Sequence, residues 1–466
     1  MASKQKKLQH LFLRAGFGET PEYINSIMEK SISSTVDELF KTSKDYEDIT
    51  YLPYPIPQDA QMKGVGIGQI LKMFLKSYQE KEDLNNEWMN RMSTTPAALR
   101  EKMTFFWHNH FATSTPFAYL MQVQNNTLRK YALGNFGDLL HAVAKDPAML
   151  LYLNNQQNKK AHPNENFARE VMELFTLGVG HYTENDVKES ARAFTGWGLN
   201  NRGEFQFNEK QHDTGEKEFL GQKGDFDGDD ILDIILSQQQ TSVFITTKIY
   251  REFVNPDVDD KRVQELAEGF YKSGYDIDKL MRNIYTSDWF YDDENIGAKV
   301  CSPVELIVRY KKMINISCTN PKTILNLQKA LGQVLFFPPN VAGWKGGNTW
   351  IDSSSLLLRL SIPQYVLRGE GMVIRVKPHP EEAPESKSQD ANADKGIIYS
   401  DWSNLNTAFM NLPDDTQQET MLSYFIQCDT SRIDRTLIKM SWGNKSTDSL
   451  TLSMAAIMSL PEFQLI

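Results

Sequence analysis

His162-Pro-Asn-Glu-Asn-Phe-Ala-Arg-Glu-Val-Met-Glu-Leu-Phe-Thr-Leu-Gly178 is followed by His181-Tyr-Thr-Glu-Asn-Asp186 and by Ala191-Arg-Ala-Phe-Thr-Gly-Trp197. At about 100° per residue, Asn166, Arg169, Glu170 and Glu173 fall within an arc of about 100°. Phe167, Ala168, Val171, Met172, Leu174 and Phe175 cover the other side, so the stretch reads as an amphipathic helix entered at Pro163. Thr183 with Asp186 three residues on reads as the N-cap of a second helix carrying Val187, Ala191 and Phe194.

The same punctuation continues outward. Leu99, Met103, Phe106 and His110 form one stripe of a helix beginning near Thr95-Pro96. Leu266 and Phe270, then Ile277, Leu280, Met281, Ile284 and Tyr285 after Asp276, predict two helices joined at Ser273-Gly274. Further helices are expected over 304–314, 324–335 and 356–365. Only Glu204–Phe207 and Met372–Val376 suggest short strands. The expected fold is mostly α: one multi-helix globular unit over 1–466, with long irregular loops and at most a few short strands. Pro378–Gly396 is polar, Pro-containing and poor in large apolar residues, and is expected to be a disordered loop. Tyr51–Pro57, with three prolines, reads as extended.

Composition narrows the function classes. Hydrophobic residues make up 40% of the 466, which is globular, and a net charge of −10 argues against a general nucleic-acid binder. Cys301, Cys318 and Cys428 are too few and too widely spaced for a disulfide framework or a thiolate metal site, and read as buried thiols. No apolar run approaches the ~20 residues that cross a bilayer. Leu8–Phe17 is interrupted by Gln9, His10 and Arg14, so no signal peptide is read and a cytoplasmic location is expected.

Several constellations could carry chemistry. In the 166–173 arc, one guanidinium can keep one carboxylate ionised while the other accepts a proton or a metal; the plain alternative is a solvated face with an Arg169–Glu173 pair. Six of the eight histidines lie between positions 108 and 212. On a regular helix His108 and His110 point about 160° apart and could share a metal only on extended backbone. His162-Pro-Asn-Glu165 has the His-x-x-Glu spacing of carboxylate metal sites, weakened by Pro163. Asp225–Asp230 fails the EF-hand pattern at Asp230 and Leu236 and reads instead as Asp229 or Asp230 capping a helix. Gly64-Val-Gly-Ile-Gly68 lacks the strand and Gly-Lys-Ser/Thr of a phosphate loop. Phe336–Trp350 is a Pro- and Gly-rich loop whose Trp344 and Trp350 either plug a core or stack on a sugar.

Taken together, His10–Gly18, Phe106–Phe111, Asn164–Gly178, Ala191–Trp197, His212-Asp-Thr-Gly215, Cys301–Glu305, Phe337–Trp344 and Pro461–Gln464 resemble the bacterial family catalogued as domain of unknown function 1800, in the family's order. The resemblance implies one largely helical unit and supplies no reaction. It also implies a neighbour, a second family related to alkaline phosphatases and sulfatases whose members often carry export signals, hence export bound to that partner.

Three functions follow as expectations. A hydrolytic enzyme, assisted by a divalent metal, would use Glu170, Glu173, Arg169, Asn166 and His181, with His108, His110, His162 and Glu165 as metal ligands. A binding or assembly protein would use the same polar groups as a structural network, with Arg169→Ala lowering the melting temperature by several degrees. A carbohydrate-binding module would present Trp197, Trp344, Trp350 and Arg192.

Overall fold

A computed structural model describes residues 2–53, 67–369, 371–372, 396–410, 412–431, 433–435, 438 and 447–466. Tyr54–Gly66 and most of the 378–396 stretch therefore lie outside the described residues, as does Val373–Val376 of the second expected strand.

The fold is mostly helical. Buried apolar side chains from Leu8 to Ile466 form one contiguous cluster. Its middle is the helix Ala98–His110, every residue of which except Asn109 is buried. The stripe Leu99, Met103, Phe106 and His110 is inside as expected, but Arg100, Glu101, Lys102 and His108 are inside too. Packed on neighbouring faces of this rod are Ile67–Thr94, Ala118–Tyr131 and Ile32–Thr42.

Burying charges on all sides of one helix requires paired partners. Glu101 accepts a side-on pair of hydrogen bonds from Arg129 Nε and Nη2, at 2.6 and 3.0 Å, and one from Trp88 Nε1 at 2.7 Å. Lys102 pairs with Glu305, which also takes Lys299 at 3.0 Å and the Ser302 N–H at 2.8 Å. Ser302 and Glu305 form the capping box of Pro303–Ile314, so one carboxylate starts a helix and anchors another.

Caps fall close to their expected positions. Thr183 and Asp186 form a full capping box, and Asp276 caps Ile277–Thr286. The aspartate run needs a correction of two residues: Asp227 is the N-cap and Asp230 its reciprocal partner, with Asp229 inside the first turn of Gly228–Leu236. The helix starting at Lys322 stops at Leu331, not 335, because Gly332 turns into the left-handed region at φ 90. The strands are short: Trp197–Leu199 pairs antiparallel with Phe205–Phe207, Lys217–Phe219 with Gln222–Gly224, and Gly396–Tyr399 lies between Ser317–Cys318 and Gly371–Met372. Gly396, expected at the end of a disordered loop, instead opens a strand.

Candidate polar face and its buried underside

The helix entered at Pro163 begins at Asn166 and changes at Val171 into a π-helix that runs to Thr176. Leu177 and Gly178 both donate to the Met172 carbonyl, at 2.8 and 3.0 Å. The wider turn leaves the later carbonyls pointing outward. Three side chains from other segments take them: Lys248 Nζ donates to Leu174 O at 3.0 Å, His110 Nε2 to Phe175 O at 3.1 Å, and Gln240 Nε2 to Leu177 O at 3.0 Å. A carbonyl only accepts, so His110 carries its proton on Nε2, and its Nδ1 accepts from Lys248 at 3.3 Å. Burial and the neighbouring ammonium push the His110 pKa well below its ordinary value. Burial likewise lowers Lys248, helped by Arg251, to about 8. A cation at a helix C-terminus also complements the helix dipole. His110 is thus a neutral cap under the π-turn.

His108 looks elsewhere. Its Nε2 accepts the Phe336 N–H at 3.1 Å, its ring meets Trp88 edge-on, and burial pushes it down to about 3. Between the two imidazoles, Asn109 clasps the Phe336–Trp350 loop, accepting from Trp344 N at 2.8 Å and donating to Trp344 O at 3.3 Å. Gly343 must be glycine there, because at φ 73 an added Cβ would stand 2.3 Å from Asn109 Oδ1.

The polar arc itself is turned outward and half-exposed. Arg169 grips Glu184 through two 2.8 Å hydrogen bonds and reaches Glu165 at 3.4 Å, not Glu173. The Arg169 bonds hold Glu184 below the usual carboxylate range. Glu173 instead accepts the Tyr182 hydroxyl at 2.6 Å, and desolvation together with that bond raises Tyr182 to about 12. Glu170 is raised, first by desolvation and then by the Glu173 charge. Asn166 donates its side-chain amide to Leu153 O at 3.1 Å.

His162 and His181 are exposed, and no hydrogen bond or ion pair among the described residues joins either ring to Glu165, Glu170 or Glu173. Among the described residues no group of three His, Cys, Asp or Glu side chains stands ready for a metal ion. Trp197, Trp344 and Trp350 are all buried, at 3, 7 and 7% exposure, so none presents a face to a sugar. Arg192 holds Asp213 at 2.8 and 3.2 Å and Glu189 at 2.8 Å. It thereby ties Ala191–Trp197 to His212–Gly215. His212 Nδ1 and the Asp213 N–H meet Thr195 O and Oγ1, at 2.9 and 2.8 Å.

Sequence reasoning missed Lys248, Tyr182 and Glu184 in this region. Tyr182 and Glu184 stood inside the quoted stretch, and the i to i+9 and i to i+15 pairings depend on the turn at 178–183. Lys248 gave no signal, being one lysine of an ordinary amphipathic helix.

The fold and these contacts describe a helical protein whose polar motif residues fasten one motif to the next. The chain belongs to the family described as protein of unknown function (DUF1800), which matches residues 10–465. No curated protein and no solved structure matches it. No described helix is long and apolar enough to cross a membrane.

Proposed function

We propose that the protein works by binding a partner protein through the half-exposed face of Asn166–Thr176 and the loop after it. The observation that carries this reading is the composition and setting of that face. Glu165, Glu170, Glu173 and Glu184 set four carboxylates against the single guanidinium of Arg169, at or near the surface. Beside them the loop presents Val179 at 76% exposure between Gly178 and Gly180, both at positive φ. An aliphatic tip next to an acidic arc suits a partner surface with Lys or Arg around an apolar pocket. The phosphatase- or sulfatase-like neighbour implied by the family is the first candidate.

The test is co-purification with that neighbour, quantified by calorimetry on the full chain. Val179→Asp and the pair Glu170→Lys, Glu173→Lys are expected to weaken binding at least tenfold with melting unchanged. Equal affinity of all three proteins would overturn the reading.

One observation favours a hydrolytic second reading: the Glu170 carboxyl is raised beside a second carboxylate, the setting of an acid–base pair. In that case Glu170→Gln abolishes turnover of an ester or phosphoester panel while Val179→Asp does not, and elemental analysis of purified protein reports whether a divalent metal takes part.

A further inference from the structure

Away from the polar face, Arg359 is fully buried on the helix Ser353–Arg368. Its Nη1 donates to Cys301 O at 2.9 Å and to Gln464 Oε1 at 3.2 Å. The other edge of the guanidinium, Nε with Nη2, has no hydrogen-bond partner among the described residues.

That edge is the fork that grips a carboxylate side-on, and this chain uses it repeatedly. Arg129 takes Glu101 with it at 2.6 and 3.0 Å, Arg192 takes Asp213 at 2.8 and 3.2 Å, and Arg435 takes Glu419 at 3.2 and 3.2 Å. Only at Arg359, among these four, does the fork face no acid. Two more buried groups beside it, the Tyr310 hydroxyl and Gln464 Nε2, meet only each other among the described residues, which leaves the Tyr310 O–H proton and one Gln464 N–H to donate elsewhere. Gln464 links the set, since its oxygen accepts from Arg359 and its amide donates to the Tyr310 hydroxyl oxygen.

The surrounding charge points the same way. Arg14, Lys102, Lys299, Arg309 and Arg359 are buried around Cys301 and Glu305, and the side-chain carboxylates that reach them among the described residues are Glu252 and Glu305. Backbone carbonyls satisfy the hydrogen bonds of Arg309, at Phe463 O (2.9 Å) and Phe425 O (3.0 Å), but bring no net negative charge. An arginine cannot shed its proton to escape the cost, and a water molecule at the fork would leave the charge uncompensated.

We propose that the Nε/Nη2 edge of Arg359, the Tyr310 hydroxyl and the Gln464 amide form a buried site for a small singly charged anion, a carboxylate or a halide. The site joins Cys301–Glu305 to Pro461–Gln464, two motifs that the polar face does not use. It shares no residue with that face and stands whether or not the partner-binding reading does.

The experiment is a melting series on the full chain in sodium gluconate, whose anion is too large to enter, with sodium formate or bromide replacing it at constant ionic strength. The melting temperature is expected to climb with the logarithm of formate or bromide concentration. Tyr310→Phe, which keeps the ring, is expected to need roughly tenfold more anion for the same rise. Arg359→Lys, which keeps the charge and loses the fork, is expected to abolish the rise. A response to formate alone identifies a carboxylate, and one to bromide alone a halide. No rise in the wild type with either anion, an equal rise in both variants, or, where bromide raises the melting temperature, bromide-soaked crystals with no anomalous peak beside Arg359 would each overturn the proposal.

Discussion

Replacing Glu305 with glutamine separates charge from shape at a deeply buried ionic junction of the protein. Gln is an accepted reciprocal partner in a capping box, so it can still take the Ser302 N–H at the start of Pro303–Ile314. What disappears is the negative charge facing Lys102 and Lys299; among the described residues Lys102 forms no other ion pair, and only the more distant Glu252 charge also favours its ammonium. All three side chains are nearly inaccessible, at 1, 5 and 2% exposure for Lys102, Lys299 and Glu305. Removing one member of a buried pair costs about 3–5 kcal/mol, chiefly because the remaining charge is stranded. At about 2 cal/mol/K per residue, the 466 residues give an unfolding entropy of about 1 kcal/mol/K, so a cooperative transition should fall by about 3–5 °C. Scanning calorimetry at neutral pH measures this. The pH dependence supplies a second check. Lys102 and Lys299 hold the Glu305 carboxyl far below its ordinary range against the opposing effect of burial. A depressed folded pKa gives stability that is present above the unfolded value near 4.5 and lost as pH falls. The deficit of the variant should therefore be full at pH 7 and shrink below pH 4.5. A variant melting within 1 °C of wild type at pH 7 would refute the assignment of this junction as a stabilising anchor.

Lys248→Met should remove a buried ammonium whose folded pKa, about 8, lies below the unfolded 10.5. A lowered lysine makes the wild type gain stability as pH rises from about 8 to 10.5, by up to about 3 kcal/mol, and urea unfolding of the variant should show that rise flattened. Asp146, capping Pro147–Tyr152, is pushed up to about 7 by burial, against the pull of Met149 and Ala148 N–H groups. Its contribution is full below about pH 4 and fades up to pH 7, so Asp146→Asn should be the more stable protein above pH 7, by about 1–2 kcal/mol in urea titrations. Arg169→Ala should shift the melting temperature by less than about 1 °C, because its pair with Glu184 is exposed. This replaces the several degrees expected of a buried network, and a drop of 3 °C in calorimetry would argue that the arc is not a surface.

Much of the helical layout was legible because caps and periodicity act within a few residues. Thr183 with Asp186 and Asp276 ahead of Ile277 are local hydrogen-bond decisions that any tertiary setting would keep. The wheel at Asn166–Glu173 also had the correct faces, with Phe167, Ala168, Val171 and Met172 inside. It could not announce the π-turn at Val171, which exists because His110, Lys248 and Gln240 arrive from elsewhere to take the freed carbonyls.

The sequence alone determined where helices start and stop, which sides are apolar, and that eight motifs recur in one family's order, since each depends on neighbours along the chain or on identity. Only the folded chain decided the fate of the polar residues. Glu101, Lys102 and Glu305 look like surface charges in sequence and are internal anchors, whereas Arg169, Glu170 and Glu173 look like a site and lie at the surface. The reason is physical: a charged side chain can be buried only where a partner from a distant segment meets it, as Glu305 meets Lys102 across 203 positions.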